Sequence, residues 1–309
     1  MTVSVLIPTR NPHPGRLART LRALRAQSLP PAEWETLLID NASSPALRLA
    51  DWSPHGPANL RLVPEPEPGL SHARRRGLLA AAGDAVVLVD DDNELASDYL
   101  AEAVRLLAAH PRVGALGGRI APEFEVAPPP WVREFDGLLA CRDPGDAPLI
   151  STGLAHPATG RNAYPAFAPV GAGMVLRRAA AQAWLRHGGH AALPDRRGED
   201  LTSGGDNDII LTLMAAGWEA AYFPSLRLTH LIPATRTTRD YLARLNRGIQ
   251  QSWMQVLRRH DANPWPPLSP AGAALRRLRA WFTYRAWSSP AAYVRWQGAC
   301  GHFTGRARP

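Results

Sequence analysis

Lysine is missing from this chain: all 35 of its basic side chains are arginine. That bias fits a GC-rich genome better than a functional demand. Cysteine is nearly missing too, and the two present, Cys141 and Cys300, lie far apart and match no metal or redox spacing. This excludes a disulfide framework and fits a reducing compartment. No apolar run approaches the eighteen or so residues that a membrane span requires, and the start, Met1 to Pro8, lacks the basic end and apolar core of a secretory signal. The expectation is a cytoplasmic protein that could still lie peripherally on the inner face of the plasma membrane. There is no G-x-G-x-x-G after the first apolar run and no P-loop anywhere. An ordinary dinucleotide site and a Walker NTPase are disfavoured.

What is present is an ordinary globular composition, 45% hydrophobic and 20% charged over 309 residues. This is enough for one large α/β domain with an appendage, or for two small domains. Its most pointed feature is Ala85-Val86-Val87-Leu88-Val89-Asp90-Asp91-Asp92-Asn93, an apolar run ending in three carboxylates. A short β-branched run of this kind reads as a strand buried on both faces of a mostly parallel sheet, and the acids then sit at its carboxyl end, where open α/β sheets place ligands. Three adjacent like charges invite a counter-ion. In an extended strand Asp90 and Asp92 share a side, so Mg²⁺ or Mn²⁺ would suit them. The plainer reading is a solvated turn with helix-capping acids.

The rest of the chain supplies the same rhythm. Val3 to Ile7 is a first strand followed by the turn Pro8-Thr9-Arg10-Asn11, and Thr36 to Ile39 is a second, ending at Asp40. Leu60 to Val63 is a third, and Gly69 to Ala80 a helix carrying Arg74, Arg75 and Arg76. Ser97 to His110 forms another helix, and Val113 to Ile120 another strand. Strands are also expected at Val170 to Leu176, and at Ala220 to Phe223 paired with Leu226 to His230. Strand alternating with helix predicts a doubly wound, Rossmann-like, mostly parallel sheet. The Pro- and Gly-rich stretch from Pro122 to Tyr164 reads as a poor core but a plausible substrate-covering loop. From Arg236 onward 13 arginines face only Asp240 and Asp261, and five of the ten tryptophans gather there. The expected organisation is a catalytic domain over 1–235 and a basic, Trp-rich helical extension over 236–309, with helices at Thr238 to Arg259 and Ala271 to Trp287. Arginine with tryptophan suits an anionic membrane, although an ordinary helical subdomain with a solvated face has the same composition.

Together these residues resemble the GT-A glycosyltransferases of family 2, from about Val3 to Arg236. The likeness runs through Val5-Leu6-Ile7-Pro8-Thr9-Arg10-Asn11, Leu38-Ile39-Asp40-Asn41-Ala42-Ser43, Pro68-Gly69-Leu70-Ser71-His72-Ala73-Arg74, the D-x-D-like Val89-Asp90-Asp91-Asp92, and Ser203-Gly204-Gly205-Asp206-Asn207-Asp208 with Gly217-Trp218, Pro224 and His230 behind. The resemblance implies an inverting, metal-dependent glycosyltransferase that takes a nucleotide-diphosphate sugar, a UDP-sugar first, and passes the sugar to a hydroxyl of a glycan, lipid-linked or small-molecule acceptor. By it, Pro8, Thr9, Arg10, Asp40, Arg74, Asp90 and Asp91 would bind the nucleotide sugar. Asp92, Asp90 and His230 would hold Mn²⁺ or Mg²⁺, and Asp206 would be the general base. The chain departs from the family at Gly205, where Glu is usual, at Arg75, and at Gly173. The nearby Glu199-Asp200 pair is the competing candidate for the base, but it lacks the helix that follows Asp206.

Two other readings remain open at the sequence level. One is a nucleotidyltransferase, which also uses strand-end carboxylates with a metal; the other is a sugar-nucleotide-binding protein without turnover, which Gly205 makes conceivable. A nucleic-acid partner rests on the basic tail alone and is not expected.

Overall fold

The computed structural model describes residues 1–151, 153–155, 160–188, 201 and 203–307. Its strands are β1 Val3–Thr9, β2 Trp34–Asn41, β3 Leu60–Glu65, β4 Ala85–Leu88, β5 Asn93–Leu95, β6 Val113–Phe124, β7 Leu149–Ile150, β8 Val175–Arg177 and β9 Glu219–Ile232. They form one sheet in the order β3-β2-β1-β4-β8-β6-β9-β5, with β7 on β9. The first four are parallel; β8 runs against both β4 and β6, β6 and β9 are parallel, and β5 and β7 run against β9. The sheet is thus the expected mostly parallel one with antiparallel insertions. The structure describes nine α-helices, α1 Pro14–Arg25, α2 Leu49–Trp52, α3 Leu70–Ala80, α4 Tyr99–Ala109, α5 Arg178–His187, α6 Gly205–Ala215, α7 Arg239–Arg259, α8 Pro270–Thr283 and α9 Pro290–Ala307.

Strand periodicity explains why the first strands are apolar throughout. Val5 and Ile7 of β1 face Leu17, Leu21 and Leu24 of α1 and Leu100 of α4 on one side, while Leu6 faces a second cluster on the other, with Ala73 and Leu78 of α3, Trp184 of α5 and Ile210 and Leu213 of α6. Each fully buried Leu or Ile on these faces contributes roughly 2 kcal/mol. Both faces are therefore core, and the loops at the carboxyl ends of β1, β2 and β4 converge on one edge. Helix α3 reaches that edge because Gly77 lets it sit close on the sheet; a Cβ there would come within 2.8 Å of Leu6.

Four segments differ from the sequence reading. β4 ends at Leu88, so Asp90 to Asp92 lie on a turn rather than an extended strand, closed by the Asp90 amide donating to Asn93 Oδ1 at 3.1 Å. Residues 170–174 are a turn before the short β8, since Gly173 sits at φ +75, where a side chain would also strike Leu228 and the Tyr99 hydroxyl. The expected strand pair after Gly217 is one irregular strand, β9. Within Pro122 to Tyr164 a 3-10 segment, Pro130–Leu139, buries Val132, Phe135 and Leu139, which together with Cys141 pack against Leu242 and Leu245 of α7 and Val294 of α9. Far from being a poor core, this stretch supplies one shared with the C-terminal helices. Its three apolar residues recur at helical spacing, a signal masked by the prolines before them.

The C-terminal helices start where their sequences say they should. Thr238 caps α7, accepting from the Tyr241 amide at 3.3 Å, and Ser269 caps α8 ahead of Pro270 at the first helical position. α9, a third helix not anticipated, packs against α7 so closely that a Cβ on Gly301 would meet the Arg247 carbonyl. α8 is fastened to α9 through Trp296 Nε1 donating to the Arg277 carbonyl at 3.2 Å and the Trp281–Trp296 ring pair. Among the described residues no helix is long and apolar enough to cross a membrane.

Candidate active site

A cavity of about 370 Å³ opens at the carboxyl edge of the sheet. Pro8 and Thr9 at the end of β1 with Arg10 after it, Asn41 at the end of β2, Arg74 of α3, Asp90, Asp91 and Asp92 after β4, Asp206 at the start of α6, and His230 of β9 all line it. Nine of the ten residues proposed from sequence therefore share one space. The tenth, Asp40, is placed differently. It is buried and both its oxygens accept backbone amides of its own loop, from Ser43 at 3.0 Å and Leu47 at 2.9 Å. Its neighbour Asn41 faces the cavity and ties the β2 end to the start of α3, donating to the Glu65 and Glu67 carbonyls and accepting from the Gly69 amide. The Glu199-Asp200 alternative lies outside the described residues.

The carboxylates are individually anchored. Thr9 Oγ1 donates to Asp91 Oδ2. Asp92 is buried, and His230 Nε2 lies 3.4 Å from its Oδ1 while Arg236 Nη1 lies 3.1 Å from its Oδ2. The backbone sets this approach: β5 and β9 are paired so that Asn93 stands opposite His230, and the Leu231 amide donates to the Asp92 carbonyl at 2.8 Å. Crowding has an electrostatic cost. Burial raises Asp90 above the usual carboxylate range, with the Arg74 charge opposing; burial and the neighbouring Asp92 charge push Asp91 up to about 7, against the Thr9 hydrogen bond. The pocket is short of positive charge.

His230 is held in a fixed orientation by the backbone. Its Nδ1 contacts the Leu139 carbonyl at 2.8 Å, and a carbonyl can only accept, so Nδ1 carries a proton and Nε2 is left facing the cavity beside Asp92 and Arg236. A carbonyl fixing the distal nitrogen is the arrangement common to metal-bound imidazoles. Oxygen donors plus one imidazole nitrogen suit Mg²⁺ or Mn²⁺. Among the described residues no three carboxylate, imidazole or thiol groups already converge as a ligand set. Instead the Arg236 guanidinium occupies the gap, donating to His230 Nε2 at 3.3 Å as well as pairing with Asp92.

Asp206 lines the same cavity. Its Oδ1 accepts from the buried Arg74, and its Oδ2 accepts from the Gly171 amide at 2.7 Å. Gly171 is required for that contact, since a Cβ would stand 2.8 Å from the carboxylate. Two residues further along, Asp208 points away from the cavity into the protein, where Trp184 Nε1 donates to it at 2.7 Å and His260 Nε2 contacts it at 2.8 Å. The helix start thus divides two carboxylates between the cavity and a buried anchor. Tyr241, Leu245 and Ile249 of α7 complete the cavity wall.

Sequence reasoning missed Arg236 and Asn41 as cavity residues. Only Arg236 had a usable signal: a cation six residues past His230, across Pro233, in a chain whose first 235 residues carry a slight excess of acid.

The sequence matches the family described as Glycosyl transferase family 2 over residues 4–183, more than half of the chain. The chain belongs to that family. Within it, the glucosyl-dolichyl phosphate glucuronosyltransferase of Haloferax volcanii is 24% identical over 176 residues, 56% of this chain and 51% of that protein. The succinoglycan biosynthesis protein ExoM of Rhizobium meliloti is 30% identical over 125 residues, 39% of this chain and 40% of that protein. The chain therefore spans about half or less of these relatives' lengths. The mannosyltransferase PcManGT from Pyrobaculum calidifontis, solved with GDP-Man and Mn²⁺, superposes with a TM-score of 0.58 at 20% identity, covering 96% of this chain and 85% of that one. S. aureus TarS 1-349 with UDP gives 0.52 at 14% identity, over 99% and 90%. The fold of this family 2 glycosyltransferase is GT-A, with C-terminal helices.

Proposed function

We propose that this glycosyltransferase is an inverting, divalent-metal-dependent enzyme that moves a sugar from a nucleotide-diphosphate donor, a UDP-sugar before others, to an acceptor hydroxyl. The observation that carries the reading is that Asp206 and the Asp90 to Asp92 turn line one cavity together with His230. A cluster of acids and a separate carboxylate within one cavity are what an inverting displacement asks for: a place for the diphosphate and a base for the acceptor hydroxyl. Asp206 accepts the acceptor hydroxyl proton as the acceptor oxygen bonds to the anomeric carbon and the bond to the diphosphate breaks. Asp92, Asp90 and His230 would hold Mn²⁺ or Mg²⁺, which when bound takes up charge on the departing diphosphate. Pro8, Thr9, Arg10 and Asn41 line the base and ribose end, and Asp40 shapes it through its loop. Arg74 aligns Asp206 and brings positive charge toward the phosphates.

The relatives' names favour a saccharide on a lipid carrier or a growing polysaccharide as the acceptor, and a peripheral position on an anionic membrane would bring the enzyme to it. The carrying experiment is Mn²⁺-dependent hydrolysis or transfer from a panel of nucleotide sugars, run beside a thermal-shift screen of the same ligands, since a ligand that binds only the native state raises its apparent stability. A donor that raises the midpoint only with Mn²⁺ and is consumed supports the assignment; a donor that binds without turnover supports a non-catalytic sugar-nucleotide protein. That second reading has its own observation, for Gly205 leaves Asp206 without an adjacent carboxylate and both Asp206 oxygens are already hydrogen-bonded.

A further inference from the structure

Helix α8 is amphipathic the wrong way round for a surface helix. Its small residues, Ala273 and Ala280, are buried, and its large ones point outward: Leu275, Leu278 and Phe282 are 67%, 58% and 62% exposed. Spacings of three and four place those side chains on one face. Trp287, 57% exposed, extends the face beyond the helix, with its ring 6.0 Å from both Trp281 and Phe282. Nothing among the described residues covers this patch, and its aromatic edge is held by ring packing rather than left to swing.

The charge around the patch identifies what does. Residues 262–309 contain seven arginines and no aspartate or glutamate. Arg276, Arg279 and Arg285 are exposed beside the apolar face. A second copy of the chain docked here through the same face would set these cations against their own counterparts. A surface of phosphate headgroups over acyl chains matches both features at once, accepting the arginines above and the Leu, Phe and Trp side chains below.

We propose that α8 is an interfacial anchor that lies flat on an anionic bilayer, inserting Leu275, Leu278, Phe282 and Trp287. α8 is fastened to α9, α9 packs on α7, and α7 lines the catalytic cavity with Tyr241, Leu245 and Ile249. The anchor therefore holds the cavity at a set orientation to the membrane. This names the surface behind the peripheral position given above, and it rests on that reading only for why the enzyme would need it.

The test is flotation of the full-length protein with phosphatidylcholine vesicles and with vesicles containing one quarter phosphatidylglycerol. A doubly substituted Leu278→Glu/Phe282→Glu protein and an Arg276→Gln/Arg279→Gln protein are run beside it, with Leu79→Glu, at another exposed leucine on α3, as the control. Expected are at least tenfold more binding to anionic vesicles, at least a tenfold loss for the Glu pair at an unchanged thermal midpoint, a salt-sensitive loss for the Gln pair, and wild-type flotation for Leu79→Glu. Tryptophan emission quenched by brominated lipid would report the insertion of Trp287. The proposal is overturned if the wild type fails to float with anionic lipid at low salt, if the Glu pair or the control shows that α8 is not the determinant, or if the Glu pair instead abolishes a solution dimer. Hydrolysis of the donor sugar in detergent-free solution is measured on each protein. Its absence beside intact flotation would sink the catalytic reading and leave the anchor standing, and its presence without flotation would do the reverse.

Discussion

The cavity mouth and the C-terminal helices are both charged, but they handle charge in opposite ways. In the cavity two cations are committed to carboxylates, Arg74 to Asp206 and Arg236 to Asp92, inside a space where burial makes an unpaired charge expensive. On α8 the arginines stand in solvent with no acid in the sequence around them. A buried pair acts through geometry, so removing one member should have an abrupt effect. An exposed cluster acts through summed attraction, and its losses should be graded and salt-dependent.

Substitutions can break this contrast. The largest effect is expected from Asp206→Asn, which keeps the shape and the Gly171 hydrogen bond but cannot take a proton. Turnover should fall about 10³-fold while Mn²⁺-dependent nucleotide binding stays within a few-fold, as kinetics and calorimetry would show. Retained turnover would dismiss Asp206 as the base and revive Asp200. Asp92→Ala should weaken Mn²⁺-dependent nucleotide binding by about 10²-fold and abolish the thermal shift that Mn²⁺ gives with nucleotide.

Arg236→Met tests the guanidinium that bridges Asp92 and His230. If it competes with a cation for those two groups, its removal should tighten nucleotide-free Mn²⁺ binding by about tenfold, measured by the loss of free Mn²⁺ signal in electron paramagnetic resonance. Weaker Mn²⁺ binding would instead make Arg236 a supporting residue. The smallest expected effect is on stability alone: His260→Leu removes a partner of the buried Asp208 and should cost about 2 kcal/mol, lowering the thermal midpoint by several degrees.

The parts of the molecule that could be read in advance are those whose neighbours are close in sequence. The β1, β2 and β4 runs announce a two-sided core, and the acids at their ends follow from strand direction alone. Asp206 could be placed because the apolar stretch behind it fixes a helix start. By contrast, the orientation of Asp40 depends on a loop that folds back to give it two amides, and Arg236 meets Asp92 only because β9 returns beside β5. The Pro122 to Tyr164 stretch was misjudged for the same reason, since Val132, Phe135 and Leu139 become a core only when α7 and α9 arrive from a hundred residues away. α9 itself, built largely of Ala, Gly and aromatic residues, has no apolar stripe to announce it; its glycines are there for close approach.

Asp208 has a consequence for how such chains can be recombined. It stands two residues from the proposed base, yet its partners are Trp184 on α5, Arg259 at the end of α7 and His260 just past it. A crossover placed at residue 235, the natural seam by charge and composition, would exchange Arg259 and His260 while leaving Asp208 behind, so that a buried carboxylate two residues from the proposed base keeps only Trp184 of these partners. Grafting a new acceptor specificity therefore calls for an exchange that begins ahead of α5, so that base, anchor and C-terminal helices are inherited together.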